Sequence, residues 1–150
     1  NEIRARGAGS ITIDSRGTAN LGILTTAGGA ITISAAANIF SAKLDAGTGA
    51  VAVSTTGADI GTLASPIQIS AGKLSIQAPT ANAYFDALTT LGLDTIEART
   101  FTLSAAADII DANGAADNIV SGTTRLIAAG TVGANRDPLI RIIEGFPDRL

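Results

Sequence analysis

The residues best able to do chemistry sit in the run DIIDANGAADN. It places Asp108, Asp111, Asn113, Asp117 and Asn118 within eleven positions. Carboxylate and carbonyl oxygens at this density are what a calcium ion takes. The run lacks the spacing and closing Glu of an EF-hand loop, and it lacks a GGxGxD nonapeptide. Asp and Asn are also ordinary turn formers, because their short side chains bond nearby backbone. The run is therefore expected to be a solvated turn. A second set of acids is Asp86, Asp94, Glu97 and Asp111. Brought together, they could act as the paired carboxylates of a polysaccharide-active enzyme. Tyr84-Phe85 is the single aromatic pair and could stack against a sugar, although an interior plug or a loop anchor is the expected role.

Other chemistry is limited by what the chain lacks. It has no His and no Cys, which removes the commonest general base and the usual zinc ligands. Gly72-Lys73 lacks the earlier Gly and the following hydroxyl of a phosphate-binding loop. The formal net charge is −3 and the ten basic residues are scattered, which argues against nucleic acid, whose phosphates need a basic face. No apolar run is long enough to span a membrane. Thr pairs at Thr25-Thr26, Thr55-Thr56, Thr89-Thr90 and Thr123-Thr124 could suggest a flat surface for ice or another crystal. Adjacent Thr residues on a strand face opposite ways, so one of each pair should point elsewhere. No catalytic, cofactor or metal residue is assigned, and the chain is expected not to be an enzyme.

The elements that would position these residues are written as a repeat. GSITIDSRGTAN opens at Gly9, GAITISAAANIF at Gly29 and GAVAVSTTGADI at Gly49. Ile11, Ile31 and Val51 align, as do Ile13, Ile33 and Val53, with polar or small residues between them. Such alternation marks a short strand with one buried face. A second apolar point is expected at Leu21 with Ile23, Ile39 with Phe40, and Ile60. A third is expected at Leu24, Leu44, and Ile67 with Ile69. A 20-residue unit cannot enclose a core alone, so recurrence implies stacking. Gly is expected to recur because each coil turns the same corner.

Later coils are expected to restart at Leu74 and Ile76, at Phe101 and Leu103, and at Leu126 and Ile127, with steps of about 23 to 27 residues. DIGTLASPIQI, from Asp59, echoes TVGANRDPLIRI, from Thr131. Gly61 and Pro66 recur there as Gly133 and Pro138. In this alignment Asp14 stacks with Ser34 and Ser54, Asp45 with Thr25, and Asp59 with Ala19 and Ile39, so no acidic column forms. Aromatics make up only 3% of the chain, which suits a narrow interior filled by Ala, Ile, Leu and Val.

These features specify an all-β chain: a right-handed parallel β-helix, or β-solenoid, of about six coils of 20–27 residues and about 30 Å in length. An immunoglobulin-like sandwich would lack the internal repeat. A hexapeptide helix would show a six-residue beat, and an α-solenoid would show longer helical periods. Residues 1–150 read as one segment. Because the first residue is Asn and no leader is visible, the segment is expected to be an excerpt of a longer chain.

The phrases GSITI, GAITI, GAVAV, ADIGTLASPIQISAG and AADNIVSGTTRLIAAGTVGANRDPLIRI resemble the repeat grammar of filamentous-haemagglutinin-like adhesins, large secreted bacterial exoproteins. The likeness covers nearly the whole chain and implies a structural shaft at the cell surface or outside the cell. The implied partners are neighbouring coils of the same chain or copies stacked end to end, with host glycans or proteins met by other regions. No functional residue is implied. A glycan- or calcium-binding module around Tyr84 or Asp108 is the alternative, and a polysaccharide-active enzyme is a more distant one.

Overall fold

In the computed structural model, residues 2–4, 8–133 and 142–144 are described. The strands are β1 (Glu2–Arg4), β2 (Ile11–Ser15), β3 (Ala19–Thr25), β4 (Ile31–Ala35), β5 (Ile39–Asp45), β6 (Ala50–Thr55), β7 (Ile67–Ser70), β8 (Lys73–Ala87), β9 (Leu91–Ala105), β10 (Ile109–Asp111), β11 (Ile119–Ala128) and β12 (Ile142–Glu144). All named pairings are parallel. No helix occurs among the described residues. The chain winds as a β-solenoid of about six turns.

Two faces alternate along each turn. Strands β2, β4, β6 and the first half of β8 build one. Strands β1, β3, β5, β7 and the second half of β8 build the other. Strands β8 and β9 run 15 residues each and bend from the first face to the second without a break.

The expected columns form where the repeat is regular. Ile11, Ile31, Val51, Leu74 and Leu93 stack, and Ile13, Ile33, Val53, Ile76, Ile96 and Ile119 stack beside them. Apart from Ile13, all of these are buried. Polar partners between them, such as Thr12 with Thr32, face outward. On the second face Leu24, Leu44 and Ile69 continue into Ala87 and Ala105. Ala83 lies between Ile60 and Phe101 in the neighbouring column. Small residues beside large ones let a narrow interior pack densely.

Four expectations change. On β3 the inward residues are Ala19 and Leu24, whereas Leu21 is half-buried and Ile23 is 37% exposed. The inside phase of β3 is thus set by its two ends. Phe101 and Leu103 do not restart a coil. They pair with Ala83 and Phe85 on the second face, and Leu93 and Ile96 continue the Leu74–Ile76 columns. Leu126 likewise stacks on Leu103, and Ile127 faces out. The steps also spread more widely than expected: Phe85 pairs with Leu103, eighteen positions on, and Leu74 with Leu93, nineteen on, while Leu103 to Leu126 is twenty-three and Lys43 to Gln68 twenty-five.

The recurring Gly is required by close approach rather than by a left-handed backbone. Gly29 and Gly49 are not among the residues with positive φ. A Cβ on Gly29 would meet the Gly9 carbonyl oxygen at 2.1 Å, and one on Gly49 would meet that of Gly29 at 2.4 Å. Gly61 and Gly133 do have positive φ, 65° and 83°. Each donates its N–H to the coil before, to the Ile39 and Ile109 carbonyls at 2.8 Å. The two echo phrases therefore build equivalent corners. Pro66 precedes β7 as expected, and Pro138 lies outside the described residues.

Replacing Ile33 with Asp puts a carboxylate into a closed column and should destabilise the fold by at least about 3 kcal/mol. Thr32→Asp, one residue away but outward, should stay within about 0.5 kcal/mol. Equal urea midpoints for the two variants would overturn the inside–outside assignment.

Candidate functional site

The Asp108–Asn118 run folds as a network that closes a coil. Asn118, 1% exposed, donates from Nδ2 to the Leu93 carbonyl (2.8 Å) and to Asp111 Oδ1 (2.8 Å). Asn113 donates from Nδ2 to the Asp94 carbonyl (2.6 Å) and to the Asp117 carbonyl (3.1 Å). Asp111 Oδ1 also accepts the Asn113 N–H at 2.9 Å. These bonds hold the Asp111 carboxyl below the usual carboxylate range, the Asn118 amide being the largest cause and the Asn113 N–H the next. Asp108 is spent elsewhere, accepting from the Thr131 N–H (2.7 Å) and hydroxyl (3.1 Å). Among the described residues no group of three or more acids, His or Cys is placed to hold a metal ion.

The four acids considered for catalysis are dispersed. Asp86 faces out from the second face. Glu97 lies on the outer side of the first, beside Gln77. The Asp94 carboxylate is bound by Lys73 Nζ (3.1 Å) and accepts from the Ser75 hydroxyl (3.2 Å). Asp94 and Thr95 lie opposite the single residue Ser75, a bulge that re-aims the strand. Asp111 is joined to the Asp94 carbonyl through the Asn113 and Asn118 side chains. Sequence alignment of Asp14 with Ser34 and Ser54, and of Asp45 with Thr25, holds in the register. Asp59 does not align with Ile39. Ile60 bridges Ile39, because one extra residue enters the turn after β6, and Asp59 falls beside Asn38.

That shift uncovers a device the aligned phrases conceal. The Asp59 N–H donates to Asn38 Oδ1 (2.9 Å), the Asn82 N–H to Asp59 Oδ1 (3.0 Å), and Arg99 Nε to Asn82 Oδ1 (3.3 Å). Asn82 thus takes up the Arg99 side chain of the next coil, and Asn38 and Asp59 take up the backbone amide entering it. Asp108 does the same for Thr131 at another corner. The sequence signal is an Asn or Asp directly before a buried, paired apolar residue: Asn38-Ile39, Asp59-Ile60, Asn82-Ala83, Asp108-Ile109 and Asn118-Ile119.

Two of the four Thr pairs divide as expected, whereas Thr89 and Thr90 are both exposed and neither Thr123 nor Thr124 is buried. Thr26 and Thr55 turn inward and donate to the Gly29 and Ala37 carbonyls, while Thr25 and Thr56 do not enter the core. Of the aromatic pair, Phe85 is an interior plug and Tyr84 points out.

Three shallow cavities mark the surface. Two, of about 400 and 440 Å³, lie on the outside of the first face over Ser54 and Gln77. The third, about 310 Å³, lies on the second face beneath the 61–66 loop and holds Tyr84. The chain matches no protein-family model, no curated protein and no solved structure. Its class is accordingly set by geometry alone: a parallel β-solenoid in which Asn and Asp side chains tie successive coils.

Removing the Asp59 carboxylate by Asp59→Ala leaves the Asn82 amide unpaired and should cost about 1–2 kcal/mol. Asp59→Asn keeps the acceptor and should be near neutral, so equal losses in the two variants would rule out the ladder. Asp111 gives an acid-side test. Its folded value is depressed, so its stabilisation is present above the unfolded value of about 3.9 and is lost as pH falls through the folded value. The melting midpoint of Asp111→Asn should fall less steeply than the parent's below about pH 4. Parallel curves would mean the carboxylate contributes nothing to the coil.

Proposed function

We propose that the chain is a shaft segment of a large secreted or cell-surface bacterial protein of the adhesin-like kind, without catalytic activity of its own. The observation that carries this reading is how the polar side chains are used. Asn38, Asp59 and Asn82 bind the amide or side chain of the coil that follows, and Asn118 reaches the coil before it. With the apolar columns, they tie neighbouring coils to one another, as a stiff rod requires. The repeat grammar shared with filamentous-haemagglutinin-like exoproteins points the same way. The role is mechanical: parallel backbone bonds and interior columns resist bending and hold a binding region away from the cell. Neighbouring coils of a longer chain are the natural partners, and right-handed winding follows from the general preference of parallel crossovers.

The test is the size and location of the native polypeptide, detected with an antibody to this segment in surface, medium and soluble fractions. A band far larger than 14.9 kDa at the surface or in the medium is expected. A band near that mass confined to the cytosol would overturn the reading.

A further inference from the structure

The groove beneath the 61–66 loop sets unspent polar groups beside an outward aromatic side chain and a loop wall. Its floor is a grid on the second face. Tyr84, Thr102 and Arg125 stack in one outward column, and Asp86, Ser104 and Ile127 in the next. Rungs about 4.8 Å apart and columns about 7 Å apart give room for one pyranose ring. Leu63 and Pro66 form the wall. This wall exists because the step from Lys43 to Gln68 is long, and the surplus chain leaves the coil as a tight turn. Thr62 and Ser65 exchange backbone bonds (3.1 and 3.2 Å), and the Thr62 hydroxyl also accepts the Ser65 N–H (2.9 Å), so the wall is built rather than loose.

Elsewhere Asp59, Asp94, Asp108 and Asp111 are engaged by the fold. In the groove, the side chains of Tyr84, Asp86, Thr102, Ser104 and Arg125 have no hydrogen bond or ion pair among the described residues. An acceptor, a cation, two hydroxyls and an aromatic face share this patch without partners among the described residues. Leu63, 75% exposed, and Ile127, 46% exposed, add apolar surface at the wall and floor.

We propose that this groove binds a neutral saccharide. One ring lies on the Tyr84 face, its hydroxyls donating to the Asp86 carboxylate and accepting from the Arg125 guanidinium. Aromatic faces take the C–H side of a ring while polar groups at the edge fix its orientation. The charges of Asp86 and Arg125 cancel, which favours a neutral ligand. A peptide is a poorer fit. Peptides that bind sheets add to a free strand edge; among the described residues that edge is Thr123–Ala128 of β11, at the rim, whereas β8 beneath Tyr84 and Asp86 is paired with β7 and β9. A saccharide needs no backbone partner. The site goes beyond the shaft reading and stands or falls separately from it.

Tyr84 is the only Tyr, and there is no Trp, so tyrosine fluorescence reports on this groove alone. The folded chain is titrated with soluble neutral oligosaccharides of glucose, mannose, galactose and xylose, and with oligogalacturonate as the acidic counterpart, up to about 10 mM. A saturable change in Tyr84 emission with a neutral oligosaccharide is expected. Asp86→Ala and Arg125→Ala should each weaken it by about tenfold or more, the loss of one charge-assisted hydrogen bond. Because both side chains are unspent, the melting midpoints should not move, and that readout separates lost binding from lost folding. No response to any neutral oligosaccharide, a response to oligogalacturonate alone, or a response that survives both substitutions would each overturn the site.

Discussion

Parallel register is the constraint on which the rest of this structure depends. Once β2 pairs with β4 and β4 with β6 in step, each residue has its own counterpart as a neighbour about 4.8 Å away. A side chain is then judged less by its own burial than by whether it can stack. Ile and Val can, and they fill the interior columns. Like charges stack poorly, and over the regular coils no outward column of the first face holds more than one charge, Asp14 standing over Ser34 and Ser54. Gly is demanded where backbones approach closely, as the 2.1 Å contact of a Gly29 Cβ makes plain. The narrow interior follows from the same rule, since Ala83 beside Phe101 leaves room for the larger ring.

Register also decides where polar atoms go. Each corner brings a backbone N–H out of the ladder, and a buried donor without a partner is costly. Asn38, Asp59 and Asp108 supply acceptors at those points. The densest acidic run, which reads as a calcium ligand set, is used in the same way. Asp111, Asn113 and Asn118 are bonded to one another and to the carbonyls of Leu93 and Asp94. Composition alone cannot distinguish an oxygen that awaits a cation from one that already holds an amide.

The regular part of the fold was legible in the sequence because Gly9, Gly29 and Gly49 and their Ile or Val partners keep a fixed interval, and stacking needs nothing else. Legibility ended where the interval changed. One extra residue in the turn after β6 moved Asp59 from Ile39 to Asn38 and hid the polar ladder. The Asp94–Thr95 bulge and the register shift between Ala78 and Asn82 moved the phase again. Phe101 and Leu103 then had the right letters for a coil start but sat on the second face. Alternation marks which residues point inward, and both faces share that alternation. Only pairing says which face a strand is on.

A solenoid so regular offers few places for recognition, because equivalent side chains repeat on every coil and a repeated surface is not a unique one. Specific sites should therefore arise where the repeat is broken outward and the break is rigid. The 61–66 turn satisfies both conditions, since the chain spends its surplus length there and ties it with its own hydrogen bonds. The Asp94–Thr95 bulge breaks the repeat too, but Lys73, Ser75 and Asn113 absorb its polar atoms. What separates a candidate site from a structural repair is thus whether the displaced polar groups have found partners within the coil, and at Tyr84, Asp86 and Arg125 they have found none among the described residues.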